Sequence, residues 1–496
     1  MAARSSSSSG VDVVSASSGH PHVRRRGLAG FAAFNAVAAW AGAIALVTGG
    51  TDFGERLNHR LPFDSPVIAG VALATVVAIP LTVLAWSAWT GAARTDETAL
   101  IVGLLLIGWI LVQVAVLQAF SLFQPAYLCV GAYFVAASHR VRLGPRSRGI
   151  LMVTAGALVA AVGVGLVPHL TKNGLTVMAV LSAVLLVSGL LVVVAGARTA
   201  LQGRHHAGKV VGGAATAIVV ALVVWLVAPA VASTNVPTTD VTETPETLGL
   251  DYESVMLRAA DGVELAAWYL PGANGAGVVM THGAGSTRSA VLEQAAVLAH
   301  HGYAVVLIDA RGHGDSDGTA MDFGWYGDLD VLAGTEFLAS RAEIDPERIG
   351  VVGFSMGGEE AIGSAAANPR IRAVVAEGAT GRQAGDKVWL SDTYGWRGWL
   401  QEQLEKVQYG ITDFLTEASP PTTLRSAVAD APDTRFLLIT AGNVADERHA
   451  ASFIQSGASD RVTVWNADGA DHTGGYDTRP EEWEQRVIDF LDASMR

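Results

Sequence analysis

The chain has 496 residues, half of them apolar and only 16% charged, with a mean hydropathy of +0.36. That excludes a disordered protein and argues against one water-soluble globule, which would carry about 25% charged residues. Residues 1–239 hold 15 Lys and Arg against 6 Asp and Glu, and residues 240–496 hold 18 against 40, net charges of +9 and −22. The two parts therefore face different surroundings, and the acidic one lacks the basic face that nucleic-acid binding requires.

Residues 1–26 are Ser-rich and end in Arg24-Arg25-Arg26, which predicts a disordered, basic N-terminus. An uncharged run of 22 residues follows, from Leu28 to Gly49. It exceeds the apolar core of a signal peptide and suffices to cross a bilayer. Further spans are expected near 66–88, 98–119, 121–138, 150–168, 175–197 and 210–232. The third and fourth share the charge-free stretch Thr98–Ser138, with a turn expected between Ser121 and Pro125. The short fourth span leaves six crossings as the alternative to seven. Pro80 falls inside the second span, where a kink is tolerated.

With the N-terminus inside, seven crossings put twelve Lys and Arg on the inner side and three on the outer. The basic-residue bias thus favours an inner N-terminus and an extracytoplasmic C-terminal half. The spans contain almost no ionisable side chains, so residues 27–233 read as an anchor or packing bundle; the alternative is a site for a lipid or small molecule. The only cysteine, Cys129, cannot make an intrachain disulfide. Arg outnumbers Lys 29 to 4, a bias that reads as a high-GC bacterial genome.

Residues 234–249 are rich in Thr, Ser, Pro and Glu and read as an extended linker. Beyond them the pattern becomes short β-rich runs alternating with amphipathic stretches. Asp261-Gly262 between alternating runs predicts a hairpin. Apolar runs follow at 277–281, 304–308, 349–353, 371–376, 436–440 and 462–465, separated mostly by helical stretches at 288–301, 327–341, 356–368, 445–456 and 480–493. Eight strands alternating with helices predict an α/β fold, a mostly parallel sheet covered on both faces. In such a sheet chemistry gathers at the C-terminal ends of strands.

Three strand ends carry reactive residues. Gly353-Phe354-Ser355-Met356-Gly357 has the form strand, G-x-S-x-G, helix, which exposes a serine hydroxyl on a sharp turn and makes Ser355 the candidate nucleophile. Thr281-His282-Gly283-Ala284 follows another strand. Acyl transfer needs two backbone N–H groups for the developing oxyanion, and those of Met356 and Ala284 are the candidates. His472, in a Gly-rich loop between the last strand and last helix, is the candidate base, with His313 as the alternative in what reads as a tight structural turn. The orienting carboxylate should follow the penultimate strand, where Asp446 is expected and Glu447 is its rival. No H-E-x-x-H or paired Cys/His pattern predicts a metal.

These pieces, with Asp309-x-Arg311-Gly312-x-Gly314-x-Ser316, resemble the α/β-hydrolase superfamily over residues 250–496, most of all serine aminopeptidase-like and dienelactone-hydrolase-like esterases. Four residues, where that family usually has three, lead from Gly442 to Asp446, which keeps Glu447 open. The resemblance implies a cap between about 377 and 434, where Trp396–Leu415 has helical amphipathy. It also implies a serine hydrolase without cofactor, which the apolar spans would anchor in a membrane, taking an ester or acyl substrate that is a small molecule or a lipid. Acyl transfer or peptide cleavage on the same triad is an alternative, and a membrane sensor or transporter with a ligand-binding hydrolase-like domain is another.

Overall fold

The computed structural model describes residues 24–50, 65–117, 123–138 and 144–496. The expected disordered segment before Arg24 lies outside the described residues, as do Ser121 and Leu122 of the expected Ser121–Pro125 turn, whose remaining residues open a helix, and Arg4, Arg56, Arg60, Arg140 and Arg142 among the basic residues counted above. Two compact bodies divide the chain.

The first body contains α1 (Arg26–Thr48), α2 (Pro66–Thr90), α3 (Thr95–Leu117) and α4 (Phe123–Ala137). Ser65 caps α2 by accepting from the Ile68 amide, and Pro66 occupies the first helical position. Pro80 has no N–H for the helix ladder, and α2 meets this with a π-helical turn at Ala74–Ala78 just before it. Ala32, Ala36, Val77, Leu81, Leu84 and Phe134 are among the buried side chains that pack these helices together. Arg25 donates to Asp96 Oδ1 at 2.8 Å and to the Ala137 carbonyl at 2.9 Å, tying three helix ends into one polar cluster.

The second body opens with α5 (Pro145–Gly165), the short α6 (Val167–Asn173), α7 (Val177–Ala200) and α8 (His206–Thr234). Gly149, Gly156 and Gly163 recur every seven residues along α5 and meet Gly196, Gly189 and Ser182 of α7 in reverse order. A Cβ at Gly156 would stand 2.7 Å from the Gly189 carbonyl, and one at Gly149 would collide with the Ala200 backbone. Ser182 Oγ donates to the Gly163 carbonyl at 2.7 Å. In lipid, where apolar burial drives little between helices, this backbone-to-backbone approach is what holds such a pair. Among the described residues six helices are long and apolar enough to cross a membrane, and α4, at 15 residues, is shorter. Large apolar side chains such as Phe34, Trp86, Leu191 and Ile218 point outward from them.

The rest of the second body is an eight-stranded sheet in the order β1-β2-β4-β3-β5-β6-β7-β8. β1 (Glu253–Arg258) and β2 (Glu264–Leu270) form the expected hairpin, antiparallel to each other, and β2 runs antiparallel to β4 (Ala304–Ile308). β3 (Gly277–Thr281), β5 (Ile349–Phe354), β6 (Ile371–Glu377), β7 (Arg435–Ala441) and β8 (Val462–Ala467) continue in parallel from β4. Helices α9 (Leu292–His300), α10 (Gly327–Ser340) and α11 (Met356–Ala367) cover the two faces near the centre. Between β6 and β7 lie α12 (Leu390–Tyr394), α13 (Trp396–Leu415) and α14 (Leu424–Asp430). After β7 come α15 (Ala445–Gln455), α16 (Gly475–Thr478) and the closing helix α17 (Pro480–Ser494).

The register decides where chemistry can gather. Thr281 on β3 pairs with Gly353 on β5, and Ala441 on β7 pairs with Ala467 on β8, so the loops after these strands emerge at one edge of the sheet. α13 packs against the last membrane-type helix α8, while Trp396, Trp399, Leu400, Val407 and Phe414 stay exposed along its outer side. Substituting Gly156 by Val should weaken the α5–α7 pair by about 1–3 kcal/mol, the usual cost of overpacking. It should lower the midpoint of thermal denaturation in detergent. Gly213→Ala, where the added carbon meets nothing within 4 Å, should leave that midpoint unchanged or higher.

Candidate active site

Ser355 follows β5 directly and holds φ 53 and ψ −118, a conformation that L side chains rarely adopt. Two glycines make room for it. A Cβ at Gly357 would lie 2.6 Å from the carbonyls of Thr281 and His282, and one at Gly353 would strike the Gly357 backbone. The turn is fastened by the Ser355 amide donating to the Glu377 carbonyl at 2.7 Å and by Thr281 Oγ1 donating to the Gly357 carbonyl at 3.0 Å. Met356 begins α11, so its N–H has no partner within the helix.

His472 leaves β8 through a loop that passes Gly378, whose φ is +74 and where a Cβ would come within 2.9 Å of the imidazole Cε1. Thr473 takes φ 55 beside it. The loop is fixed from behind by Glu377, whose buried carboxylate accepts from the Gly475 amide at 2.7 Å and Trp483 Nε1 at 2.9 Å. His472 Nε2 lies 2.8 Å from Ser355 Oγ, and Nδ1 lies 2.6 Å from Glu447 Oε1. The second Glu447 oxygen accepts from the Ala441 amide at 2.7 Å. With Nδ1–H donating to Glu447, Nε2 is free to accept from the serine hydroxyl. The hydrogen bond from Glu447 raises the His472 pKa above its ordinary value, against the lowering effect of burial.

The carboxylate at the imidazole is therefore Glu447, and the expectation for Asp446 is corrected. Both residues sit in the first turn of α15, and successive helical residues point about 100° apart, so only one can face the histidine. Glu447 is 1% exposed and shares the buried stripe of Ala450, Ala451 and Ile454. Asp446 points outward and accepts from the Tyr394 hydroxyl at 2.6 Å. Asp471 accepts from Asn443 and Asp468 from Asn466, so both are engaged elsewhere.

The turn after β3 is accounted for group by group. The Ser286 amide donates to the Gly283 carbonyl at 3.2 Å, closing a four-residue turn, and Gly285 at its third position has φ +63. The Gly285 amide donates to His313 Nε2 at 3.1 Å, and the Gly285 carbonyl accepts from Thr239 Oγ1 at 3.0 Å and Lys172 Nζ at 2.5 Å. The Ala284 amide is left without a hydrogen-bond partner among the described residues. His282 and His313 are buried scaffolding for this turn. Burial pushes each down to about 4, so both rings are neutral. His282 Nε2 accepts from the Ala310 amide and Nδ1–H donates to the Gly283 carbonyl.

Ser355, His472, Gly283 and Ala284 line a cleft of about 540 Å³. Leu248, Val291, Leu292 and Phe354 give it apolar wall, while Ser286, Ser289 and Gln294 give polar wall. The exposed carboxylates Glu243, Glu293 and Asp477 stand at its margin. None of residues 377–434, where a cap was expected, lines it. Among the described residues no group of three His, Cys, Asp or Glu side chains could hold a metal ion.

Sequence reasoning missed the two contacts on the Gly285 carbonyl. Lys172 lies 113 residues away at the end of an apolar segment, and no local pattern joins it to a Gly-rich loop. Glu447 was findable: its spacing to Ala450, Ala451 and Ile454 is that of one helix face. The Glu447–His472 bond generates a test. Replacing Glu447 by Gln should lower the His472 pKa, because burial remains and the raising carboxylate is gone. Asp446→Asn should leave it unchanged, as read by NMR titration of the histidine Cε1–H signal.

Comparison with known proteins agrees with this architecture. Residues 272–432 match the family model described as serine aminopeptidase, S33. An uncharacterized protein of Mycobacterium tuberculosis is 34% identical over 118 residues, covering 23% of this chain and 41% of that protein. A thiohydrolase of Aspergillus aculeatus is 34% identical over 133 residues, covering 25% of this chain and 40% of that protein. The chain thus spans about two fifths of the length of the curated relatives it matches. Among solved structures, an esterase of Pyrococcus furiosus aligns at 25% identity and a TM-score of 0.41 over 53% of this chain and all of that one. The family match over residues 272–432, with the sheet order and the strand-serine-helix turn already described, supports an α/β-hydrolase superfamily assignment.

Proposed function

We propose that the protein is a membrane-anchored serine hydrolase that cleaves a carboxylic ester. The observation that carries this reading is the continuous line Glu447–His472–Ser355, with spacings of 2.6 and 2.8 Å, ending on a serine held at φ 53. In the reaction Ser355 Oγ attacks the ester carbonyl while its proton passes to His472 Nε2. Glu447 holds the imidazole by Nδ1–H and stabilises the cation that forms. The developing oxyanion meets the N–H groups of Met356 and Ala284. Collapse expels the alcohol, which takes the proton from Nε2 and leaves an acyl-Ser355. Water, deprotonated by the same nitrogen, then releases the acid and restores the serine.

The apolar helices anchor the enzyme in a bilayer. We place the hydrolase domain outside the cytoplasm, on the bias of twelve basic residues to three and on seven crossings. Digestion of intact spheroplasts by external protease should then remove a C-terminal tag, and a tag cut only after lysis would overturn this placement.

A fluorophosphonate probe should label the full-length protein and fail to label Ser355→Ala. Turnover of a short-chain nitrophenyl ester should fall by several orders of magnitude in that variant, as in other serine triads. Glu447→Gln should cost about 10²–10⁴ in kcat, in line with loss of the triad acid elsewhere. Asp446→Asn should stay within about twofold, as an exposed surface change does. Loss of turnover in Asp446→Asn with retention in Glu447→Gln would reverse the assignment.

A further inference from the structure

The turn that offers the Ala284 amide is not held by the hydrolase domain alone. Several of its backbone groups are bonded, and the Ala284 amide is not. Gly283 O receives Ser286 N–H, and Gly285 N–H is taken by His313. Gly285 O is taken by two donors from earlier in the chain. One is Thr239 Oγ1, in the segment between α8 and β1, and the other is Lys172 Nζ, at the end of α6. The peptide planes on both sides of Gly285 are thereby fixed. Ala284 N–H lies on the preceding peptide plane, whose Gly283 carbonyl accepts from Ser286 N–H and His282 Nδ1–H, and the bonds at Gly285, which sits at φ +63, steady that plane through the backbone of the turn.

Lys172 belongs to a wider joint. His169, on the same helix α6, bonds through Nε2 to the Asn235 carbonyl at 2.9 Å. The Asp322 amide donates to the Ser233 carbonyl in the last turn of α8 at 3.0 Å. The buried Asp322 carboxylate, which has an oxygen without a hydrogen-bond partner, is raised to about 6 by burial while Lys172 pulls it the other way. The end of α6 and the end of α8 are therefore seated on the loops that follow β3 and β4, and the lysine reaches past the joint to the turn itself.

We propose that Lys172 is a positioning residue for the oxyanion turn, so that the membrane-type helices complete the hydrolase site as well as anchor it. The proposal rests on the serine-hydrolase reading above. A charge-assisted bond to a carbonyl is stronger than a neutral one, and Thr239 shares the load on the same oxygen. Removing the lysine alone leaves one donor on the Gly285 carbonyl, and removing both leaves none there. The effect must appear where negative charge develops and not where the uncharged substrate binds, since only the oxyanion uses Ala284 N–H.

The test uses the full-length protein in nanodiscs with a nitrophenyl ester, comparing Lys172→Met, Lys172→Arg, Thr239→Val and the Lys172→Met/Thr239→Val double variant. The double variant should lose about 10- to 100-fold in kcat, less than outright removal of an oxyanion donor, with KM within about twofold. Lys172→Met should fall between it and wild type, and Lys172→Arg, which keeps a charged donor, should recover most of the loss. Affinity for a trifluoromethyl ketone, which forms a tetrahedral adduct on serine, should fall in parallel with kcat. Unchanged kcat in the double variant, or a loss confined to KM, overturns the proposal. So does an Arg variant as impaired as Met while its thermal midpoint matches wild type. Ser355→Ala, run beside them, separates the two readings: turnover persisting in that variant overturns the serine mechanism, and the role of Lys172 falls with it.

Discussion

Everything at the site depends on how closely β5 and α11 pass the end of β3. Ser355 can sit at φ 53 only because Gly353 and Gly357 leave empty the volumes that side chains would fill against Thr281, His282 and each other. Strain of this kind persists only where the surroundings over-determine it. Here the central strands are buried, the Ser355 amide is tied to Glu377, and Thr281 clasps the Gly357 carbonyl. The sheet supplies rigidity and the two glycines convert it into an aimed hydroxyl.

Glu377 extends this constraint to His472. Its main chain receives the serine turn, and its carboxylate receives the loop that carries His472. Burial raises its pKa, while the Gly475 and Trp483 donors favour its charged form. Ser355 and His472 are thus both fastened to one buried residue at the end of β6, across which they stand 2.8 Å apart.

Much of this was legible in the sequence, for physical reasons that vary by element. The eight strands announced themselves as short apolar runs, since a doubly covered sheet buries both faces. The serine turn and the histidine loop were marked by glycines that only close approaches require. The carboxylate beside His472 was read one residue off. Loop spacing after β7 pointed to Asp446, whereas the helix phase of α15 selects Glu447, and the phase decides because it sets which side chain is buried. The seven-residue glycine repeat of α5 was open to view but means nothing until its partner helix is known. The Lys172 contact carries no sequence signature at all, because it joins a membrane-type helix to a loop through one long side chain.

The three carboxylates at the cleft margin bear on what happens after cleavage. Under the proposed ester hydrolysis, an ester would arrive uncharged, while the acid it yields would ionise at neutral pH among Glu243, Glu293 and Asp477. Like charges at a partly exposed rim repel modestly and are screened by salt. On that proposal the acid product would leave more readily than the uncharged ester, an electrostatic clearing of the cleft that needs no moving part.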